Sequence, residues 1–183
     1  MLSPEFLSNF KRATEARWSA VQINPSIYGF QFQRGTRWNP GLPENEIDEY
    51  ELILRLRFPR DLKDFLRVMN GTDLPTVNVF GNSGEPLRHS VGVYSYPKDL
   101  AIVRQRIDNV AGERSQLTAT LAEQDLQLQP NANLLPFYFT RYIVSTGDSD
   151  TSVVLSIEDG SDAIVYGNSL GEYLQREFLQ VSL

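Results

Sequence analysis

Gly167-Asn168-Ser169-Leu170-Gly171 is the stretch of this chain that comes nearest to a catalytic motif. It fits G-x-S-x-G, in which a sharp strand-to-helix turn presents a serine hydroxyl as a nucleophile. That serine needs a histidine to take its proton and an acid to orient the histidine. No histidine follows Ser169, and the single histidine, His89, lies far upstream. Glu172 stands three residues after Ser169, the spacing of a capping box, so Ser169 reads as the N-cap of a helix. His89 reads as a polar residue at a strand edge, and no residue is expected to be catalytic.

Paired carboxylates are the second chemistry to consider. Asp148 with Asp150, and Asp159 with Asp162, could hold a cation or divide acid and base roles. Neither pair has the ligand spacing of a calcium loop. Both sit in runs that turn hairpins, Gly147-Asp148-Ser149-Asp150 and Asp159-Gly160-Ser161-Asp162. Cysteine is absent, so a zinc site of the usual kind lacks ligands. Nothing matches the glycine-rich loops that cradle phosphates. The expectation is no metal, no cofactor and no enzymatic activity, with the four aspartates left as candidate contacts for a protein partner.

The elements that would position these residues follow from periodicity. Ser3-Pro4-Glu5 starts a helix carrying Phe6, Phe10 and Ala13, with Leu7 and Trp18 beside them. Residues 22–37 read as loop with a short strand at Tyr28–Gln33, so residues 1–37 form an N-terminal extension. Asn39-Pro40-Gly41 then turns the chain, and Pro43-Glu44 opens a helix whose apolar face takes Ile47, Tyr50 and Leu54. Glu51 falls at the edge of that face. A second helix follows Pro59, with Leu62, Phe65, Leu66 and Met69 on one side and Gly71 able to supply a left-handed stop.

Strand patterns appear at Thr76–Phe80 and Ser90–Tyr94, split by the turn Gly81-Asn82-Ser83-Gly84. Pro97 with Asp99 opens a long helix through Leu121 that Gly112 can kink or divide; a coiled coil is the alternative for this run. Leu134–Tyr138, Tyr142–Ser145, Ser152–Ile157 and Ala163–Tyr166 read as an antiparallel meander, able to bury one face and leave the other wet. A last helix places Leu170, Tyr173, Leu174 and Phe178 inward. The sum is α+β: helices packed on one mostly antiparallel sheet in a single domain, with residues 38–183 as its body.

Seventeen basic residues against twenty-three acidic ones give a net charge of −6. That sign opposes nucleic-acid binding through phosphates and favours a basic protein partner. Arg55, Arg57, Arg60 and Arg67 cluster, but Asp61, Asp64 and upstream acids interrupt them, so they read as a mixed solvated face. No apolar run approaches a membrane span, and MLSPEFLSNFKRATEARW, with its early Glu5, does not read as a secretory signal. A cytoplasmic location and no membrane partner are expected.

Taken in order, Trp38, Ile47 with Glu51, Phe58-Pro59-Arg60-Asp61, Phe65-Leu66 and Asn70-Gly71 form a pattern. Pro97 with Asp99, Pro136 to Tyr138, Ser152–Ile157, Ile164–Gly167 and Leu170–Phe178 extend it. The chain thereby resembles the SUKH superfamily, in the branch related to the yeast cell-wall-synthesis regulator, over roughly residues 38–179. The N-terminal segment and the long polar helix exceed a minimal domain of that kind. The resemblance implies a binding module without catalysis: an immunity protein that neutralises a cognate toxin by docking on it, or alternatively a regulatory scaffold in cell-wall or envelope signalling. Trp38 reads either as a core lid over the helix pair or as a partner contact. Glu51 reads either as an acceptor for backbone near the turn or as a contact. Both join Asp148, Asp150, Asp159 and Asp162 as candidate partner-binding residues.

Overall fold

The computed structural model describes residues 2–79, 88–147, 149–150 and 152–179. Asp148, Phe80 and the Gly81–Gly84 turn lie outside them. The chain folds as α+β in one domain, and the paired strands all run antiparallel. They divide among three sheets, β1-β4-β5, β2-β3 and β6-β7-β8-β9, where the sequence pattern suggested one.

Helix α1 (Pro4–Ala20) is capped by the Ser3 hydroxyl, which accepts from the Phe6 N–H at 3.1 Å. Its buried stripe is Leu7, Phe10, Thr14 and Trp18. Thr14 takes the inward position expected of Ala13, because its hydroxyl bonds back to the Phe10 carbonyl and accepts from the Trp38 indole N–H at 2.8 Å. Strand β1 (Gly29–Phe32) pairs with β4 (Thr76–Val79), which also pairs with β5 (Arg88–Ser90). Residues 1–37 thus contribute a helix and a strand to the same body as the rest of the chain. Leu7, Phe10 and Trp18 belong to its main core.

Strand β2 (Trp38–Pro40) leads into α2 (Glu44–Leu54), and α3 (Arg60–Val68) follows. Met69 is extended, so α3 passes directly into β3 (Met69–Thr72), which pairs back on β2. Gly71 therefore does not stop the helix. It is needed inside β3, where φ is +71° and a Cβ would stand 2.6 Å from the Val93 carbonyl oxygen. Asn70 is buried beside it. Its amide clamps the backbone of Tyr96 from both sides, Nδ2 donating to the carbonyl at 2.7 Å and Oδ1 accepting from the N–H at 2.9 Å.

The long helix is divided at Gly112 into α4 (Leu100–Gly112) and α5 (Arg114–Ala122). Arg114 closes a loop there by donating to the carbonyls of Gln129 and Ala132. The largest sheet is a meander of β6 (Asn133–Tyr138), β7 (Arg141–Ser145), β8 (Val154–Asp159) and β9 (Asp162–Gly167), followed by α6 (Leu170–Phe178). Both of its faces are largely covered, with Ile164 of β9 left exposed. Leu135, Phe137, Ile143 and Val154 join the main core with α1, α2, α3 and α6. Leu134, Tyr142, Leu155, Ile157 and Ala163 join a second core with Val110, Leu117 and Leu121 of α4 and α5. The polar helix pair that looked surplus to the domain is what covers this second face.

Candidate functional site

Two regions place buried charged side chains beside a cavity, and the first is the corner between α2 and α3. Helix α2 ends in Arg55, a non-glycine residue in the left-handed region at φ 57°, whose N–H returns to the Glu51 and Leu52 carbonyls. That conformation costs about 1–2 kcal/mol, so neighbouring contacts must hold it. Glu51 supplies them. Its side chain is 4% exposed, and its carboxylate accepts from the Phe58 N–H, pairs with Lys63 at 2.9 Å and reaches Arg57 at 3.3 Å. One buried carboxylate thereby joins the end of α2 to the first turn of α3.

The corner is fixed from two further directions. Asp61 is buried, and its oxygens accept from the Ser152 N–H, the Ser152 hydroxyl and the Leu62 N–H. Burial pushes the Asp61 carboxyl above its ordinary value, against the pull of those hydrogen bonds. The Arg60 N–H donates to the Ser149 carbonyl at 2.9 Å, and its guanidinium meets Asp150 at 3.2 Å. On the other side, Glu44 grips Arg67 with two 2.8 Å hydrogen bonds that hold the carboxyl below its usual range. The clustered arginines Arg57, Arg60 and Arg67 are each paired with an acid.

What this scaffold presents is the outer face of α2. Asn45, Asp48, Glu49 and Leu52 are exposed at i, i+3, i+4 and i+7. Leu52 is 77% exposed, the highest value among the large apolar side chains described. Beside it lies a cavity of about 560 Å³ lined by Asp48, Glu51, Leu52, Arg55, Leu56 and Arg57. The face is anionic along the helix, apolar at Leu52 and cationic at Arg55, and its backbone is held rigidly from beneath.

The residues singled out from sequence are distributed unevenly around it. Glu51 lies under the corner and Asp150 beside it, while Asp148 falls outside the described residues. Asp159 and Asp162 flank the β8–β9 turn, at the far end from Ser152 of a six-residue strand that is itself roughly 17 Å long at a rise of about 3.4 Å per residue. Asp159 caps its own turn: the Ser161 hydroxyl, then the Ser161 and Asp162 N–H groups, hold its carboxyl below the usual range. Trp38 is buried against the rings of Phe10, Trp18, Phe65 and Phe178 at 5.2–5.8 Å. It is the core lid of the two roles open to it in the sequence, and its surface is covered by the protein itself.

Ser169 accepts from the Glu172 N–H at 3.1 Å as an N-cap, while Glu172 reaches back to the Asn168 N–H at 3.1 Å. His89 lies on β5 and lines a cavity with Lys98 and Asp99 that Ser169 does not share. Among the described residues no three of His, Asp or Glu come together in a way that could hold a metal ion. No described helix is long and apolar enough to cross a membrane.

The second region went unnoticed in the sequence. Tyr138, Arg141 and Glu177 line a cavity of about 250 Å³ with Gly29, Phe30, Phe139, Thr140 and Glu158. The one local signal was Glu177, an acid in the last turn of α6, at the helix end that disfavours it. No known family model matches this chain, and no curated protein matches it significantly.

Proposed function

We propose that this protein is a binding module that acts by docking on another protein, as an immunity protein does in neutralising a cognate toxin. The observation that carries this reading is the outer face of α2, with Asp48, Glu49 and a protruding Leu52 beside the 560 Å³ cavity. A surface that acts by shape and charge alone must be rigid, and Glu51, Asp61 and the Glu44–Arg67 pair supply that rigidity. The partner is basic. The chain carries −6 overall, and Asp48 and Glu49 are exposed on this face, Glu49 also bonding the Tyr96 hydroxyl. Leu52 enters an apolar recess on that partner, and Arg55 at the far end fixes the register through an acidic group. The cytoplasm is the site of action under this reading.

Co-expression with a basic protein encoded next to this chain provides the test. Restored growth together with a stable complex is the expected result. Failure of both contradicts it, and a complex without any growth effect favours a regulatory scaffold.

A further inference from the structure

We propose that the cavity between the β6–β7 turn and the end of α6 is a binding site for a primary carboxamide, independent of the docking reading above. Four elements converge there: Gly29 and Phe30 of β1, the Phe139-Thr140 turn with Tyr138 and Arg141 on either side, Glu158 near the end of β8, and Glu177 of α6. At about 250 Å³ the cavity takes a small molecule or one side chain.

Its polar atoms are incompletely satisfied. Arg141 Nε and Glu177 Oε2 are buried and have no hydrogen-bond partner among the described residues, and neither has the Tyr173 hydroxyl, which lies outside the cavity lining. Arg141 Nε and Glu177 Oε2 form a loose ion pair at 3.9 Å, too long for a hydrogen bond between them. The rest of the guanidinium is immobilised: Nη1 donates to the hydroxyls of Thr140 and Ser156, and the group lies over the Tyr166 ring at 4.0 Å. Of the buried atoms of this ion pair, Nε is the one donor and Oε2 the one acceptor without a hydrogen bond, and they face each other.

Among the described residues, Glu177 has the loose 3.9 Å ion pair with Arg141 as its charge partner. It lies in the last turn of α6, near the carbonyls of the negative helix end, where an acid is disfavoured. The hydroxyls of Tyr138 and Tyr173 are pushed up first by burial and then by this carboxylate. Tyr173 is wholly buried, and leaving its hydroxyl unpaired carries the cost of an unmet donor.

The two spare atoms select the ligand. An ammonium group would meet Arg141, and a carboxylate would meet Glu177. A primary carboxamide carries an acceptor and a donor on one carbon, so its oxygen takes the Nε–H while its NH2 donates to Oε2. Turning the Glu177 carboxyl about its broad terminal torsion opens the way in. Phe30, Tyr138 and Phe139 wall the cavity and suit a flat, apolar body attached to that amide.

The test uses the full chain and three probes of one shape, benzamide, benzoate and benzylammonium, followed by amide and arginine Nε–H NMR signals. Benzamide is expected to bind saturably in about the millimolar range and to shift Phe30, Thr140 and the Arg141 Nε–H. Benzoate and benzylammonium are expected to bind at least about tenfold more weakly, and Glu177→Gln to weaken benzamide by about tenfold. A Gly-Gln-Gly peptide distinguishes the sources: tighter binding than benzamide assigns the site to a partner's side chain, weaker binding to a free small molecule. Equal response to the three probes, or no saturable response to any, overturns the proposal and leaves the cavity to water. That ranking is read on the wild-type chain, so it stands even where the variant does not fold.

Discussion

The β6–β9 sheet is largely buried on both faces, but by different means. On the side of α1, α3 and α6 the core is aromatic, with Trp38 meeting four rings, and buried polar groups run through it: Glu51, Asp61, Asn70 and Ser152. On the side of α4 and α5 it is mainly aliphatic, with Tyr142 among it, and its polar links end on backbone carbonyls: the Thr120 hydroxyl to Gly160, Gln124 to Ala163 and the Arg114 guanidinium to Gln129 and Ala132. Apolar burial is non-directional, whereas a hydrogen-bonded carboxylate or amide admits few geometries. The front therefore fixes the positions of surface groups, and the back mainly contributes stability. A docking face on α2 belongs where that precision is.

The sharpest way to break this contrast is to remove its centre. Trp38→Ala is expected to cost about 3–5 kcal/mol in chemical denaturation, since it opens a cavity among rings and removes the indole N–H from which the Thr14 hydroxyl accepts. Leu121→Ala, its counterpart on the back, is expected to cost about 2–4 kcal/mol, and Leu121→Met under about 1.5 kcal/mol. A Trp38→Ala loss no larger than that of Leu121→Ala would erase the distinction.

Glu51→Ala leaves Lys63 and the Phe58 N–H without their acceptor and should cost about 2–3 kcal/mol. Glu51→Gln, which keeps an acceptor, should cost about 1 kcal/mol. Equal losses for the two would mean that packing, and not the carboxylate, holds the corner.

Asp61 sharpens the comparison through pH. Because burial raises its folded-state value, the folded chain keeps that proton to higher pH than the unfolded chain does. Its contribution to stability is fully present below the ordinary value of 3.8 and is lost as pH rises through the folded-state value. Relative to Asp61→Asn, the wild type should lose stability as pH rises from about 4. Parallel pH profiles would rule this out. Ser169→Ala, a single exposed cap, is expected to cost only about 1 kcal/mol.

Local order was legible in the sequence, and long-range pairing was not. The Ser3 and Ser169 caps, the break at Gly112 and the inward set Leu170, Tyr173, Leu174 and Phe178 all follow from spacing within one element. Gly71 misled because a left-handed glycine after a helix looks the same whether it ends that helix or admits a neighbouring strand. The meander's second face read as wet because its cover, α4 and α5, is amphipathic only weakly and lies earlier in the chain. At the site, Glu51 was visible as a carboxylate on the edge of an apolar stripe. The Tyr138–Arg141–Glu177 cavity was not, since β1, β6, β8 and α6 meet there only in the fold.

Asp48→Lys/Glu49→Lys/Leu52→Asp tests the docking face most directly, because all three residues are exposed, and chemical denaturation of the variant beside the wild type checks that its stability is kept. Growth is to be measured in cells that make the basic protein encoded beside this chain, with either the wild type or the triple variant present at equal level. The account predicts growth with the wild type and none with the equally stable variant. Growth restored as well by the variant as by the wild type would contradict it.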